Sequence, residues 1–586
     1  MLEQQLAEPI VYNISDNLEA LEAKREEETD EHVRSIMFDY PIIYIHYREM
    51  DQYGRYEAYV GETTDVIRRT GQHLQKADED HAWQKFLKDK KSRLYVIGHD
   101  HFNKSLTLDL ENKFILYLSC MGTVRHLCNG RGNPQNQYYT LDERDALFSA
   151  IWAKLHEDNS RLFAAEKEIA DMAIFKASPF HFLSKEQLEA KDKIIDSVYK
   201  NYHDDKIGQL IVVAGEAGSG KTVLNSKVFY ELCSNSREAG QDKLDCYMIV
   251  NQDEQLKVYK QIANRLDNLD RKCVMKATKF IDQKSPDHPA DIVFIDEAHL
   301  LWTQYNQGYS NIPEHSGNQL QDILVRSRTV VAVFDAGQIL RTQQYWEPDK
   351  RDNILAKAVE TIHLKNQMRI RADSRTVQWI RDMIDKDRVG NIPEHDSKGY
   401  DIHICSTPQE LEEAVLSKNT KDSLSRMLAT YDWPYADAHQ PKGGGAWSVK
   451  IGDWEKPWNY QLQALGQPKT NKSYESWAEI PESIGEIGST YTIHGFDLNY
   501  AGVILGPSVQ FRDGKIIHVA EYSCNSNATQ KRTLSNNEKQ SLANDLLKNE
   551  MNVLLTRGVE GLYIYACDDA LREELLKAER GEVGLG

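Results

Sequence analysis

The chain has 586 residues and a formal charge of −19, from 71 Lys and Arg against 90 Asp and Glu. At roughly 100–200 residues per domain this length predicts three or four domains, each large enough for its own core. An apolar share of 40% with 9% aromatic residues excludes a disordered chain. No apolar run approaches the length of about 18 residues needed to span a membrane, so no membrane partner is expected. The opening Met1-Leu2-Glu3-Gln4 lacks the cationic head of a secretory signal. Eight scattered cysteines without a C-x-x-C pair read as thiols of a reducing cytoplasm, the expected location. The acidic balance argues against a passive nucleic-acid coat but allows a basic groove on an acidic body.

Residues 1–35, with Glu26-Glu27-Glu28 and Asp30-Glu31, read as an acidic, solvated, helical or loose segment; mimicry of nucleic acid is the sharper alternative. Residues 36–140 form a compact block with strands over Ile42–Tyr47 and Ala58–Val60. It carries Tyr44, then Tyr59-Val60-Gly61 fifteen residues later, then Arg69, with His73 four further on. Arg69 and His73, at i and i+4, share a helix face and can aim at one phosphate. Gly71 inside that helix costs roughly 1 kcal/mol relative to alanine. The basic run Lys88-Asp89-Lys90-Lys91-Ser92-Arg93 either tracks a strand or is a solvated face.

A helix is expected over Asp109–Met121, where Leu110, Phe114, Ile115, Leu118 and Met121 make one apolar stripe. Glu111 falls inside the stripe, while Asp109, Asn112 and Lys113 take the outer face. An inward carboxylate needs a partner, either a divalent cation or an arginine such as Arg69. Beyond the helix, Asn129, Asn133 and Asn136 offer polar groups that equally well make turns.

The string from Tyr59 to His73, with Tyr44 before it and Glu111 after it, resembles the core of the GIY-YIG nucleases, although Ile42 replaces the first glycine of that name. The resemblance implies that Tyr44 activates water and that Mg²⁺ on Glu111 stabilises the leaving oxygen. It also implies that Arg69 and Tyr59 hold the pentavalent phosphate, and that an asparagine, for which Asn129 is chosen, completes the site. A tyrosine titrates near 10, so nearby cations would have to favour the Tyr44 phenolate.

Residues 141–180 read as a polar helical connector ending at Ser178-Pro179. From 181 onward apolar β runs alternate with helical stretches, as in a parallel α/β sheet. The runs are Leu210–Ala214, Cys246–Val250, Ile292–Ile295, Val330–Phe334, Val503–Leu505 and Leu562–Tyr565. The first run leads into Gly215-Glu216-Ala217-Gly218-Ser219-Gly220-Lys221-Thr222, a G-x-x-x-x-G-K-[ST] loop between strand and helix. There the glycines let backbone N–H groups wrap phosphates, Lys221 reaches the β- and γ-phosphates, and Thr222 ligates Mg²⁺. The third run ends in Asp296-Glu297, where Asp296 can hold Mg²⁺ and Glu297 polarise the attacking water.

Motifs on the carboxyl-terminal side of this ATP-binding machinery narrow the class. Asp335-Ala336-Gly337-Gln338 resembles the superfamily 1 helicase motif in which Gln338 would sense the γ-phosphate. Leu364-Lys365-Asn366-Gln367-Met368-Arg369 resembles the arginine-bearing motif that opens a second RecA-like domain. Tyr491-Thr492-Ile493-His494-Gly495-Phe496-Asp497 looks like the Q-G-x-[DE] element with His494 in place of glutamine. Thr556-Arg557-Gly558 is similar to the terminal T-R-[AG] motif, and Phe182-Leu183-Ser184-Lys185-Glu186-Gln187 to the adenine-reading motif. Ser184 and Gln187 also spell a capping box, so Gln187 reads as adenine contact or as cap. The set resembles Schlafen-type superfamily 1 helicase-like ATPases over about residues 180–580.

The expected fold is α/β: a small α+β GIY-YIG domain at 36–140, then two RecA-like parallel α/β domains at 181–360 and 361–586. A tryptophan-rich inserted lobe is expected at about 434–480, which holds Gly443-Gly444-Gly445; five of the ten tryptophans fall between Trp433 and Trp477. The expected function is an ATP- and Mg²⁺-dependent endonuclease acting on nucleic acid, DNA over RNA, with defence against foreign DNA as its setting. Two alternatives are an ATP-gated nuclease whose ATPase is a switch, and a remodeler whose front domain binds without cutting. Oligomeric state is open.

Overall fold

The computed structural model describes residues 7–51, 54–75, 86, 89, 91–127, 138–215, 218–235, 244–266, 269–304, 316–364, 369–420, 423–436, 439, 441, 444–461 and 477–584, with the side chains at 72–75, 126, 171, 234, 235, 254 and 336 left aside. Two compact units divide the chain. The first is Met1–Phe182 with Cys233–Gly240 and Tyr259–Arg271, and the second is the remainder.

The first unit is built on a five-stranded sheet of β1 (Ile10–Ser15), β2 (Ile42–Glu49), β3 (Tyr56–Thr63), β4 (Arg93–Gly98) and β5 (Val124–Leu127). Their order is β1-β4-β2-β3-β5, antiparallel except for the β3–β5 pair. The amino-terminal segment is therefore part of the sheet, which corrects its reading as a loose acidic tail. Ile10 to Ser15 pair with Gly98 to Arg93. Two helices come next, Leu18–Glu27 and Glu31–Phe38, capped by Asn17 and Asp30, whose side chains accept backbone N–H bonds at 2.8 and 2.9 Å. The glutamates of 26–28 belong to this first turn-rich stretch, while Leu21, Met37 and Phe38 point into the core with Tyr44 and Val96.

The helix carrying Glu111 runs Lys104–Cys120 and starts at an Asn103 cap. Its expected outer face is not outside. Asp109 and Asn112 are 2% and 3% exposed. Asp109 accepts from the Tyr138 hydroxyl at 2.7 Å, and Asn112 donates to Phe180 O at 2.9 Å. The reason is the segment read as a connector, whose helix Arg144–Asp158 covers that face. Trp152 stacks on Phe114 at 5.9 Å and Phe148 meets Tyr117 at 4.7 Å, centroid to centroid.

The second unit holds two parallel sheets. The first has β6 (Gln209–Gly215), β7 (Cys246–Val250), β8 (Val274–Met275), β9 (Ala290–Asp296), β10 (Ser327–Phe334) and β11 (Glu360–Leu364), in the order β11-β6-β10-β9-β7-β8. Strands β6, β9 and β10 are near-continuous apolar runs because helices cover both faces. All ladders are parallel, so the loops after β6, β9, β10 and β11 leave the same edge. The second sheet orders Asp401–Ile404, Gly558–Ala566, Leu498–Leu505, Ser425–Ala429 and Ile487–Gly488, again all parallel.

The described part of the tryptophan-rich segment packs onto this second sheet. It contributes a hairpin, Ser448–Ile451 with Trp454–Pro457, and buries Trp454 and Trp458 in one cluster with Met427 and Ile487. Trp477 is 1% exposed and donates to Glu486 at 3.1 Å. The helix Ala543–Leu555 links the two sheets, with Leu546 and Leu547 in the apolar core around β6, β9 and β10. Among the described cysteines none is disulfide-bonded, but Cys524 is exposed rather than buried. No helix among the described residues is long and apolar enough to cross a membrane.

Candidate functional site

Two groups of side chains gather at the motif positions. In the second unit, Gly215 ends β6, and Lys221 and Thr222 open the helix Lys221–Asn235. Gly218 and Gly220 have φ of +86° and +79°, where L side chains are strained. Space excludes a side chain as well. A Cβ on Gly218 would lie 2.5 Å from Arg369 Cβ, and one on Gly220 would collide with the Gln187 amide. Ser219 is 2% exposed and its Oγ has no hydrogen-bond partner among the described residues. Glu216, Ala217 and the motif stretch from Lys365 to Met368 lie outside the described residues.

Gln187 fulfils both of its expected geometries in part. Its Oε1 accepts from Ser184 N at 2.9 Å as a cap, while Nε2 reaches Ser219 O and Gly220 O at 3.5 and 3.4 Å. It therefore ties the helix Lys185–His203 to the phosphate loop. Lys221, 6% exposed, donates from Nζ to Gly215 O at 2.5 Å and approaches Asp335 Oδ2 at 3.4 Å.

Asp296 closes β9 at 1% exposure. Glu297 comes next in the left-handed region, φ +54°, a strained backbone of the kind that persists where a site requires it. His299 is wholly buried and its Nδ1 accepts from Asp335 N at 3.2 Å. Burial pushes its pKa down to about 4, so the neighbouring Glu297 carboxylate, 3.5 Å away, faces a neutral ring.

The arginines meet this cluster from the second sheet. Arg557, 0% exposed, donates to Val553 O at 2.7 Å, Phe496 O at 3.3 Å and Gln338 Oε1 at 3.2 Å. Gln338 in turn donates to Asp335 Oδ2 at 2.7 Å. Arg369 Nε lies 2.7 Å from Asp497 Oδ1, which is also 4.0 Å from Arg557. Burial, and then repulsion from Arg369, lower the Arg557 pKa. His494, 2% exposed, has no hydrogen-bond partner on either ring nitrogen among the described residues, and burial pushes it down to about 3. The helix Ala543–Leu555 fastens the loop after β10: Asn552 donates to Gly337 O at 2.7 Å and Asn549 to Ile339 O at 2.9 Å.

The residues fit a nucleoside triphosphate. The glycine cradle is one that Cβ atoms would fill, and Ser219 Oγ is buried without a partner among the described residues. Three cationic groups, Lys221, Arg369 and Arg557, converge on it, matched for now by Asp335 and Asp497. Among the described residues no group of three or more His, Cys, Asp or Glu gathers to hold a metal. A magnesium ion at such a loop rests on Thr222, an Asp296-bound water and the phosphates themselves, so it does not require such a cluster. Asp335, Asp497, His299 and Asn552 were not chosen from sequence as site residues. For the first two the signal was present, since they lie within the motifs that supply Gln338 and His494.

In the first unit, Tyr44 on β2 and Tyr59 on β3 stack at 6.2 Å between ring centroids. The register sets Tyr44 opposite Gly61, and a Cβ on Gly61 would collide with the Tyr44 ring, so only glycine leaves room for it. Arg69, on the helix Val66–Gln75, reaches both phenols; burial lowers its pKa, but the two tyrosines raise it by more. Glu111, half-buried, acts electrostatically on Tyr44. The Tyr44 pKa is nonetheless raised, by burial first and by Tyr59 second, with Arg69 pulling the other way. This corrects the expectation that neighbouring cations favour its phenolate. The His73 side chain and Asn129, Asn133 and Asn136 lie outside the described residues. The half-buried Glu111 carboxylate beside the tyrosines fits a divalent cation by donor chemistry.

The phosphate loop after β6, the acid pair closing β9, Gln338 after β10 and the arginines from the second sheet define a helicase-like P-loop ATPase. Residues 208–568 match the Schlafen group 3 DNA/RNA helicase domain, and the chain belongs to that family. It is 31% identical over 434 residues to "Uncharacterized protein YPL245W" of Saccharomyces cerevisiae, covering 68% of this chain and 91% of that protein. Among solved structures it is similar to the Pif1 helicase from Candida albicans, with 15% identity and a TM-score of 0.23. That match covers 41% of this chain and spans about half, 54%, of the helicase.

Proposed function

We propose that the protein is an ATP-dependent nuclease, in which a GIY-YIG-type site in the first unit cleaves nucleic-acid phosphodiesters and the helicase-like unit hydrolyses ATP to drive or license the cut. DNA is the favoured substrate over RNA, defence against foreign DNA the favoured setting, and the cytoplasm the favoured location. The observation that carries the reading is the convergence of Tyr44, Tyr59, Arg69 and Glu111, from two strands and two helices distant in sequence, on one spot. Structure alone gives no reason to gather two phenols, a guanidinium and a carboxylate, and each has a use in phosphodiester hydrolysis.

In this mechanism Arg69 binds the scissile phosphate and offsets the charge that builds on it, and Tyr59 donates to a second oxygen. Tyr44 orients the attacking water and takes its proton, after giving up its own. When bound at Glu111, Mg²⁺ supplies charge stabilisation for the leaving oxygen. In the second unit Lys221, Arg369 and Arg557 hold the triphosphate, Glu297 orients the hydrolytic water and Gln338 reports the γ-phosphate to Arg557.

One cleavage assay on matched DNA and RNA tests the reading, with Mg²⁺ or chelator, and with ATP, a non-hydrolysable analogue or neither. Cleavage that needs Mg²⁺ and responds to nucleotide supports it, and an inert wild type on every substrate sinks it. A second reading, an ATP-gated switch that does not translocate, is favoured by His494, because a buried neutral ring stands where a glutamine normally links ATP to nucleic acid. Movement along single strands at the expense of ATP would exclude the switch.

A further inference from the structure

Next to the Tyr44–Tyr59 pair lies a second buried pair to which the cleavage mechanism assigns no role. His46 stands two residues after Tyr44 on β2, so both side chains leave the same face, and Tyr59 is its cross-strand partner on β3. The imidazole meets the Tyr44 ring edge-on at 5.3 Å and the Tyr59 ring at 5.9 Å, and it stacks on Phe86 at 5.9 Å. Its Nδ1 lies 2.7 Å from Asp16 Oδ2. The His46 and Asp16 side chains are 2% and 0% exposed, and Asp16 Oδ1 has no hydrogen-bond partner among the described residues. Asp16 comes directly after β1, and its N–H donates to Ser92 O at 3.2 Å, so the sheet itself fixes its position.

Taking a carboxylate and an imidazole out of water is expensive, and apolar residues of the same volume would hold a core as well. Such a pair has a use when the carboxylate fixes the ring tautomer and holds the positive charge that appears as the ring takes a proton. With Nδ1–H directed at Asp16, Nε2 is the basic nitrogen. The other ionisable groups facing the ring are few. Tyr44 and Tyr59 are the phenols themselves, and Arg69 acts through them. Arg48, next along the same face, is held by Glu57 at 2.6 Å and Asp89 at 3.3 Å. The β4 neighbour opposite His46 is the apolar Leu94.

We propose that Asp16 and His46 are positioning residues of the front site, taking up the proton that the Tyr44–Tyr59 phenols must release before water is activated; the inference rests on the nuclease reading. The O–H bond of Tyr44 breaks, its electron pair stays on oxygen, and the proton forms a bond to His46 Nε2. The phenolate then takes a proton from water as the water oxygen bonds to phosphorus and the P–O bond to the leaving group breaks. The leaving oxygen takes its proton from solvent, and the imidazolium, held by Asp16, returns its own to solvent to reset the site.

The test is steady-state cleavage by the full chain across pH. His46→Asn keeps a donor for Asp16 but cannot take a proton, and kcat should fall roughly 100- to 1,000-fold with KM little changed. In the wild type the rate rises with pH as His46 becomes neutral. Asp16→Asn removes the anion that favours the imidazolium, so this limb moves to lower pH while the plateau falls. Melting curves and ATP turnover report folding, and His46→Gln is the second variant should asparagine disturb the sheet. Folded variants that cut within about threefold of wild type, with the limb in place, overturn the proposal and leave the nuclease reading standing. A wild type that cuts nothing in Mg²⁺ overturns both.

Discussion

Arg557 Nη2 donates to Gln338 Oε1 across 3.2 Å, joining the residue after the helix Ala543–Leu555 to the loop at the end of β10. The two residues are far apart in sequence and belong to different sheets, so the bond closes the nucleotide cluster from both sides. Arg557→Ala should lower ATP turnover by roughly 10³-fold or more while nucleotide binding weakens far less. Arg557→Lys should fail almost as badly, because an ammonium cannot serve Val553 O, Phe496 O and Gln338 at once. Turnover measured beside binding of a fluorescent ATP analogue decides it; lysine at wild-type rate would refute the planar-fork requirement.

The two clusters should fail independently. Lys221→Ala should abolish ATP turnover, because the ammonium next to Gly215 O and Asp335 is the group that meets the β- and γ-phosphates. Tyr44→Phe and Glu111→Ala should abolish cutting and leave turnover intact. Parallel ATPase and cleavage assays on the three variants check this. Normal cutting by Glu111→Ala in Mg²⁺ would show that the metal assignment is wrong.

Glycines in the first unit should respond in opposite directions. Gly61→Ala forces a methyl group into the Tyr44 ring and should cost about 1–3 kcal/mol, with loss of cleavage. A Cβ on Gly71, inside the helix Val66–Gln75, meets nothing within 4 Å. Gly71→Ala should therefore stabilise by roughly 0.5–1 kcal/mol. Chemical denaturation of each variant measures both; a stabilised Gly71→Ala protein that no longer cuts would indicate that nucleic acid passes close to that helix.

Glu550 gives the second unit a pH dependence. Burial, with repulsion from Asp432 adding to it, pushes its pKa up to about 8, while Thr490 and the Tyr431 N–H bond its Oε1. The folded state thus holds a proton that the unfolded chain releases near 4.5. The stability this contributes is complete below pH 4.5 and is lost as pH rises toward 8. Glu550→Gln keeps the acceptor without the charge, so its advantage over wild type should grow across that window to on the order of 3 kcal/mol. Melting temperatures of both proteins at about pH 5 and pH 8 test the sign, and a constant gap would contradict it.

Legibility in the sequence tracked the range of the interactions. The phosphate loop was readable because strand, glycines, Lys221 and helix are contiguous, and the same holds for Asp296-Glu297 at the end of an apolar strand. Tyr44, Tyr59 and Arg69 were readable because one hairpin and the next helix bring them together. β1 was not, because an acidic stretch with only Ile10-Val11-Tyr12-Asn13-Ile14 between its charges reveals its strand only once β4 is in place. The buried faces of Asp109 and Asn112 were missed for the same reason: the helix Arg144–Asp158 covers them from beyond the domain limit that the composition suggested. The alternation Tyr44, His46, Arg48 on one strand face was visible, but its meaning depended on Asp16, which no local pattern ties to it.

The pairing of β1 with β4 also sets a timetable for synthesis. About eighty residues separate the two partners, so the leading strand leaves the ribosome with its hydrogen-bonding groups unmet and waits several seconds, at roughly 5–20 residues per second, for its mate. During that interval it is an unprotected edge available to other nascent chains, and the charged helix Leu18–Glu27 immediately behind it is the nearest deterrent to such mispairing.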